Sequence, residues 1–144
     1  MPIWSTRRSN YKKVKEDAMN TLTMTLHALP DLEAVGGNVR PGHYMQEHRN
    51  FKAEKAKWYY LIREELGPPP MPRFEKAHAE VWLYFKERRN RDQDNCTIAL
   101  KPFFDALVAW DMIPDDDDKH LTYMIHPLVV PMLAPKMVVV FTEV

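Results

Sequence analysis

Only one cysteine, Cys96, occurs among the 144 residues. A lone thiol closes no intramolecular disulfide and leaves no thiolate cluster, which argues against a structural zinc centre and leaves oxygen ligands for any metal. Long apolar runs are lacking too. No stretch approaches the roughly 18 residues of a membrane span, and the opening segment MPIWSTRRSNYKKVKEDAMN is positively charged without the apolar core of a secretory signal. No membrane partner and a cytoplasmic location are expected. Nor is there an excess of charge of either sign. Lys plus Arg number 20 and Asp plus Glu number 20, which argues against a protein that coats DNA by bulk charge. Internal repeats are absent, and low complexity is confined to PPPMP and DDDD.

What is present is the makeup of one globular domain, with 45% apolar and 28% charged residues. The charge is distributed unevenly. Arg7, Arg8, Lys12, Lys13 and Lys15 form a basic segment, Lys86, Arg88, Arg89 and Arg91 form a second patch, and the acids concentrate at 115–118. A protein neutral as a whole can still present a positive face to phosphates. The expected division is a basic extension over residues 1–20 and a single domain over 21–144.

Periodicity predicts the elements. TLTMTLHA alternates Leu22, Met24 and Leu26 with threonines, a strand pattern. Residues 29–50, rich in Gly, Pro and Asn, read as a long loop. FKAEKAKWYYLIREEL sets Phe51, Trp58, Ile62 and Leu66 at helical spacing, and GPPPMP ends the helix. AHAEVWLYF places Ala77, Ala79, Val81, Leu83 and Phe85 on one side and His78, Glu80, Trp82 and Tyr84 on the other, as in a central strand covered on both faces. Residues 99–110 carry an apolar stripe of Leu100, Phe103, Phe104, Leu107 and Val108, a second helix in which Pro102 fits only the first turn or a kink. LTYMIHPLVV and KMVVVFTEV read as two strands joined through PMLAP, most simply a hairpin. The order predicts an α+β domain: a mixed sheet of about four strands with two main helices.

The chemistry concentrates around that second helix. RDQDN precedes it and PDDDDKH follows. If the strand through Phe85 continues, Asp92 and Asp94 point the same way as parallel carboxylates. Lys101 and Asp105, four apart, share a helix face. The run 115–118 follows the helix C-terminus, where the backbone dipole repels anions, so helix stability does not explain it. A hard divalent cation would, and arginines beside the acids point to a phosphodiester substrate. The plainer readings stand beside this one: Asp94 or Asn95 as helix caps, 115–118 as a solvated acidic turn, and Lys86 to Arg91 as an exposed strand end. The six histidines show no metal-binding spacing and read as structural or surface residues.

The segment 91–120, RDQDNCTIALKPFFDALVAWDMIPDDDDKH, closely resembles the core of the RusA family of Holliday junction resolvases, whose signature runs Arg-Asp-x-Asp-Asn, a lysine, Asp-Ala-Leu and a paired aspartate turn. The flanking pattern of strand, loop, helix and strand fits from about Leu22 onward. The resemblance implies a homodimeric, Mg²⁺-dependent endonuclease, with Mn²⁺ as a substitute, that resolves branched DNA in recombination and repair. It implies a bacterial or a phage-encoded protein, in either case acting in the cytoplasm. It implies that Asp92, Asp94 and Asp116 are catalytic metal ligands and Lys101 the essential lysine, supported by Asn95, Asp105 and Asp115, with Lys86, Arg88, Arg89 and Arg91 contacting DNA. Two departures stand out. The gap from Asp94 to Lys101 is about one helical turn longer than in the family pattern, and LPDLEAVGGNVRPG replaces the family's Pro-Pro-Ser-Asn-Asn stretch. A non-catalytic branched-DNA binder of the same fold is the alternative, and a general metal-dependent nuclease a third reading.

Overall fold

The computed structural model describes residues 21–32, 44–68, 74–87 and 93–144. The elements are β1 (Thr21–Leu26), α1 (Tyr44–Leu66), β2 (Ala77–Phe85), α2 (Gln93–Ala99), α3 (Lys101–Ala109), β3 (Leu121–Val129) and β4 (Lys136–Glu143). The architecture is α+β, with a four-stranded mixed sheet in the order β1-β4-β2-β3. The basic segment 1–20 lies outside the described residues.

β2 is central, as its two-sided pattern predicts. It pairs antiparallel with β4, with Val81 opposite Val139, and parallel with β3, with Val81 opposite Ile125. Every residue of the Ala77, Ala79, Val81, Leu83, Phe85 row is buried, while the alternate row is half-buried. Met24, Leu26, Leu121, Ile125, Met137, Val139 and Phe141 continue the buried face across the other strands. Trp58 and Ile62 of α1 and Phe103, Ala106 and Leu107 of α3 belong to the same core. The two helices meet through Trp58 and Phe103, whose rings lie edge-to-face with centroids 5.4 Å apart.

Three local expectations are corrected. The hairpin does not form, because β2 lies between β3 and β4. Placing β2 in the interior pairs both of its edges and buries its apolar row, which a local β3–β4 hairpin would leave at a sheet edge. The parallel β2–β3 pair then requires a crossover, and α2 and α3 provide it. The return to β4 starts from the end of β2, where Val130 N–H donates to Phe85 O at 2.8 Å.

The second helix is two helices. Leu100 N–H is shared between Cys96 O (3.0 Å) and Thr97 O (3.3 Å), a tightened turn that closes α2. Pro102, with no N–H to give, then sits in the first turn of α3, where none is needed. The stretch expected as loop over 29–50 is helix from Tyr44 onward, where α1 begins. That helix ends as GPPPMP predicts. Gly67 takes φ 91° and donates its N–H to Arg63 O at 2.7 Å.

Candidate functional site

Lys101 opens α3, and Asp105 follows one turn later on the same face, with Nζ to Oδ1 at 3.2 Å. Asp116 arrives from the connection between α3 and β3 and accepts a hydrogen bond from the same ammonium. The path of that connection explains its position. At the end of α3, Asp111 adopts φ 73°. Met112 N–H donates to Leu107 O (3.0 Å) and Phe74 N–H to Met112 O (2.7 Å), so the chain turns back with Met112 and Ile113 buried. The acidic run therefore leaves from an anchored point.

The four acids then divide by position. Asp117 builds the turn into β3: its carbonyl accepts from His120 N–H (3.1 Å) and Leu121 N–H (2.9 Å), and its carboxylate lies 2.7 Å from His120 Nδ1. Asp115 and Asp118 are exposed, and Asp115 accepts from Asp116 N–H at 2.8 Å. Only Asp116 of the run meets Lys101, with its side chain 15% exposed against 53% for the lysine. Burial pushes the Asp116 carboxyl up, but the Lys101 ammonium outweighs it and holds the group below its ordinary range. Burial likewise pulls Lys101 down, and Asp116 and Asp105 outweigh it, so its affinity for the proton rises. The pair is charged on both sides across the neutral range. Beside it opens a cavity of about 180 Å³, lined by Lys55 of α1, by Asp105, Val108 and Ala109 of α3, and by Asp115 and Asp116. Lys55 carries no motif signal. Its proximity arises from the packing of α1 on α3 alone.

The other expected site residues are less gathered. β2 ends at Phe85 and Gln93 begins a helix, so Asp94 does not stand at a strand end, and the argument from strand alternation fails. Asp94 is exposed in the first turn of α2, where the helix dipole favours an acid, and its carboxylate makes no hydrogen bond or ion pair among the described residues. Asn95 is half-buried and Lys86 exposed. Asp92, Arg88, Arg89 and Arg91 lie outside the described residues. Among those described, no three His, Cys, Asp or Glu side chains gather as a metal site. The donors around Lys101 suit a hard cation in kind, being carboxylates alone, and of the expected ligands Asp116 is the one found among them.

Away from this site, the structure joins two histidines that spacing left separate. On the face of the sheet opposite the helices, Glu80 meets His78 Nε2 at 2.7 Å and His126 Nε2 at 3.0 Å. His78 Nδ1 lies 2.8 Å from Thr122 Oγ1, and His126 stacks on Trp82 at 5.2 Å. The partners are strand neighbours, which fits a structural role. The bond from His126, with that from His78, outweighs burial and holds the Glu80 carboxyl below its ordinary value of 4.5. The stabilisation from the charged form is therefore present above that value and is lost as pH falls through the lower folded one. Glu80→Gln should flatten this part of the acid limb. Urea midpoints of parent and variant, measured from about pH 6 to about pH 2, should converge at the acid end. A constant gap would refute the linkage.

No helix of the described residues is long and apolar enough to cross a membrane. No family model and no curated protein matches the chain. Among solved structures, CetZ2 from Haloferax volcanii in a GTPγS-bound protofilament matches with a TM-score of 0.40 and 8% identity, over 85% of this chain and 28% of that chain. A likeness of that size identifies neither a family nor a ligand.

Proposed function

We propose that the protein is a Mg²⁺-dependent, structure-selective endodeoxyribonuclease that cuts phosphodiesters at branched DNA, as the resemblance of segment 91–120 to the RusA resolvases implies. One observation carries the reading: Lys101, Asp105 and Asp116, spread over sixteen residues of the signature, meet in one ion-paired cluster whose two carboxylates line a cavity, and of four consecutive acids the one that meets the lysine is Asp116.

Asp92, Asp94 and Asp116 would hold the cation, Mg²⁺ or Mn²⁺, which supplies Lewis-acid stabilisation of the charge that develops on the phosphoryl group. Lys101 positions a non-bridging phosphate oxygen and offsets its charge, and Asp105, one turn along, orients the ammonium. The acids on either side of Lys101 keep it protonated, so it serves as a donor and a charge rather than as a base. Lys86, Arg88, Arg89 and Arg91, with the connection between β1 and α1, grip the backbone by shape rather than by base edges. A four-way junction has approximate two-fold symmetry, and a C2 homodimer would present one site to each of two opposing strands.

The test is incubation with a mobile four-way junction and a matched linear duplex, with and without Mg²⁺. Symmetric nicking of the junction alone, in Mg²⁺ alone, is expected. Equal cutting of both substrates removes the structural selectivity, and undiminished turnover in EDTA removes the metal. The second reading is a branched-DNA binder without turnover. Its signature is tight junction binding with no nicking in Mg²⁺ or Mn²⁺.

A further inference from the structure

Lys101 is not the only cation near the acids that line the cavity. Lys55 lines it from α1, half-buried, across from Asp105, Asp115 and Asp116. Those acids do not hold it, for Lys55 makes no ion pair among the described residues, whereas Lys101 engages both Asp105 and Asp116. The acid next to it on α1 is also engaged: Glu54 pairs with Lys57 at 2.7 Å and accepts from Asp31 N–H at 3.3 Å. A half-buried lysine that makes no ion pair among the described residues leaves its charge to an outside anion. Lys52 precedes Lys55 by three residues, hence on the same side of the helix about one turn away, and is exposed. The cavity is several times the ~30 Å³ share of a water molecule. Carboxylates of α3 and of the acidic run line it, together with Lys55 of α1.

We infer that Lys55, followed by Lys52, is a phosphate-binding track on α1 that seats the DNA backbone next to the carboxylate cavity. The inference rests on the nuclease reading and adds a surface that the arginine-rich segment before α2 does not include. Lysine suits this task as a compact charge that accepts any backbone geometry, in keeping with recognition of shape rather than sequence. The carboxylates opposite keep the phosphate from sliding into the cavity, so the strand would rest along its lysine side.

The experiment is equilibrium binding of a four-way junction in EDTA across a salt series, which needs no turnover. Lys55→Ala should weaken binding roughly fivefold at about 0.1 M salt and make the slope of log K against log salt shallower by about 0.9, one duplex phosphate contact. Lys52→Ala should act in the same direction and less, and Lys55→Arg should restore the parent slope. Lys136→Ala, on the opposite face of the sheet over Tyr84, removes the same charge and should leave the slope unchanged. If Lys55 merely balances the nearby acids, Lys55→Ala will lower the thermal midpoint with no change of slope, and the inference fails while the nuclease reading stands. A parent protein that binds no junction in EDTA overturns that reading and the inference with it.

Discussion

Asp116→Asn should lower single-turnover cleavage of a four-way junction by about 10³-fold or more, while affinity for the junction in EDTA stays the same or rises. Loss of one preorganised charge at a phosphoryl centre is worth roughly 10²–10³ in rate, and loss of a metal ligand adds to it. Binding should not suffer, because the substitution removes a negative charge that faces phosphates. The variant also separates site from scaffold. Asp116 makes no contact that closes the turn into β3, whereas Asp117 holds His120 and the amide of Lys119. Asp117→Asn should therefore lower the thermal midpoint and leave the rate per folded molecule close to that of the parent. Asp105→Asn should have an intermediate effect on rate, through the orientation of Lys101. Cleavage by Asp116→Asn equal to the parent's would rule out its place in the chemistry. A matching loss in Asp117→Asn at equal folded fraction would mean that the acidic run acts by bulk charge and not through one residue.

The second large effect is on stability. Trp58 is fully buried, lies edge-to-face against Phe103, and carries Lys57 Nζ 4.5 Å above its ring. It is the point where α1 meets α3, so it also sets the distance of Lys55 from Lys101. Trp58→Ala should cost about 3–5 kcal/mol, the usual loss for an aromatic deleted from a packed core. For a domain of this size that lowers the thermal midpoint by roughly 10 °C or more. Trp58→Phe should recover most of it. The indole N–H is buried without a hydrogen-bond partner among the described residues, and Phe keeps the ring contact while removing that unsatisfied donor. Calorimetry or urea titration decides the point. A Phe variant as unstable as the Ala variant would show that the indole shape, and not buried aromatic surface, holds the helices together.

The sequence by itself determined what depends on neighbours along the chain. The alternation of β1 and β2, the amphipathic spacing of Trp58 and Ile62, the stop at Gly67, the place of Pro102 and the shared face of Lys101 and Asp105 all follow from periods of two and 3.6 and from the backbone limits of Gly and Pro. The class, α+β with four strands, follows from their order. The tertiary structure decided everything that needed a choice among distant partners. Two adjacent strands joined by a short connection read locally as a hairpin, yet β2 intervenes, because the gain from pairing both of its edges over an apolar face is invisible from β3 and β4 alone. Four identical acids cannot be told apart by type. Asp116 is singled out because burial of Met112 and Ile113 fixes the start of the run and Asp117 is taken by the turn. Asp94 was placed by a strand that stops at Phe85, and local pattern alone does not say where one element gives way to the next. Lys55 and the Glu80–His126 pair had no signal along the chain: Glu80 and His126 lie 46 residues apart and meet only when β3 docks on β2, and Lys55 comes beside Asp105 and Asp116 only when α1 docks on α3.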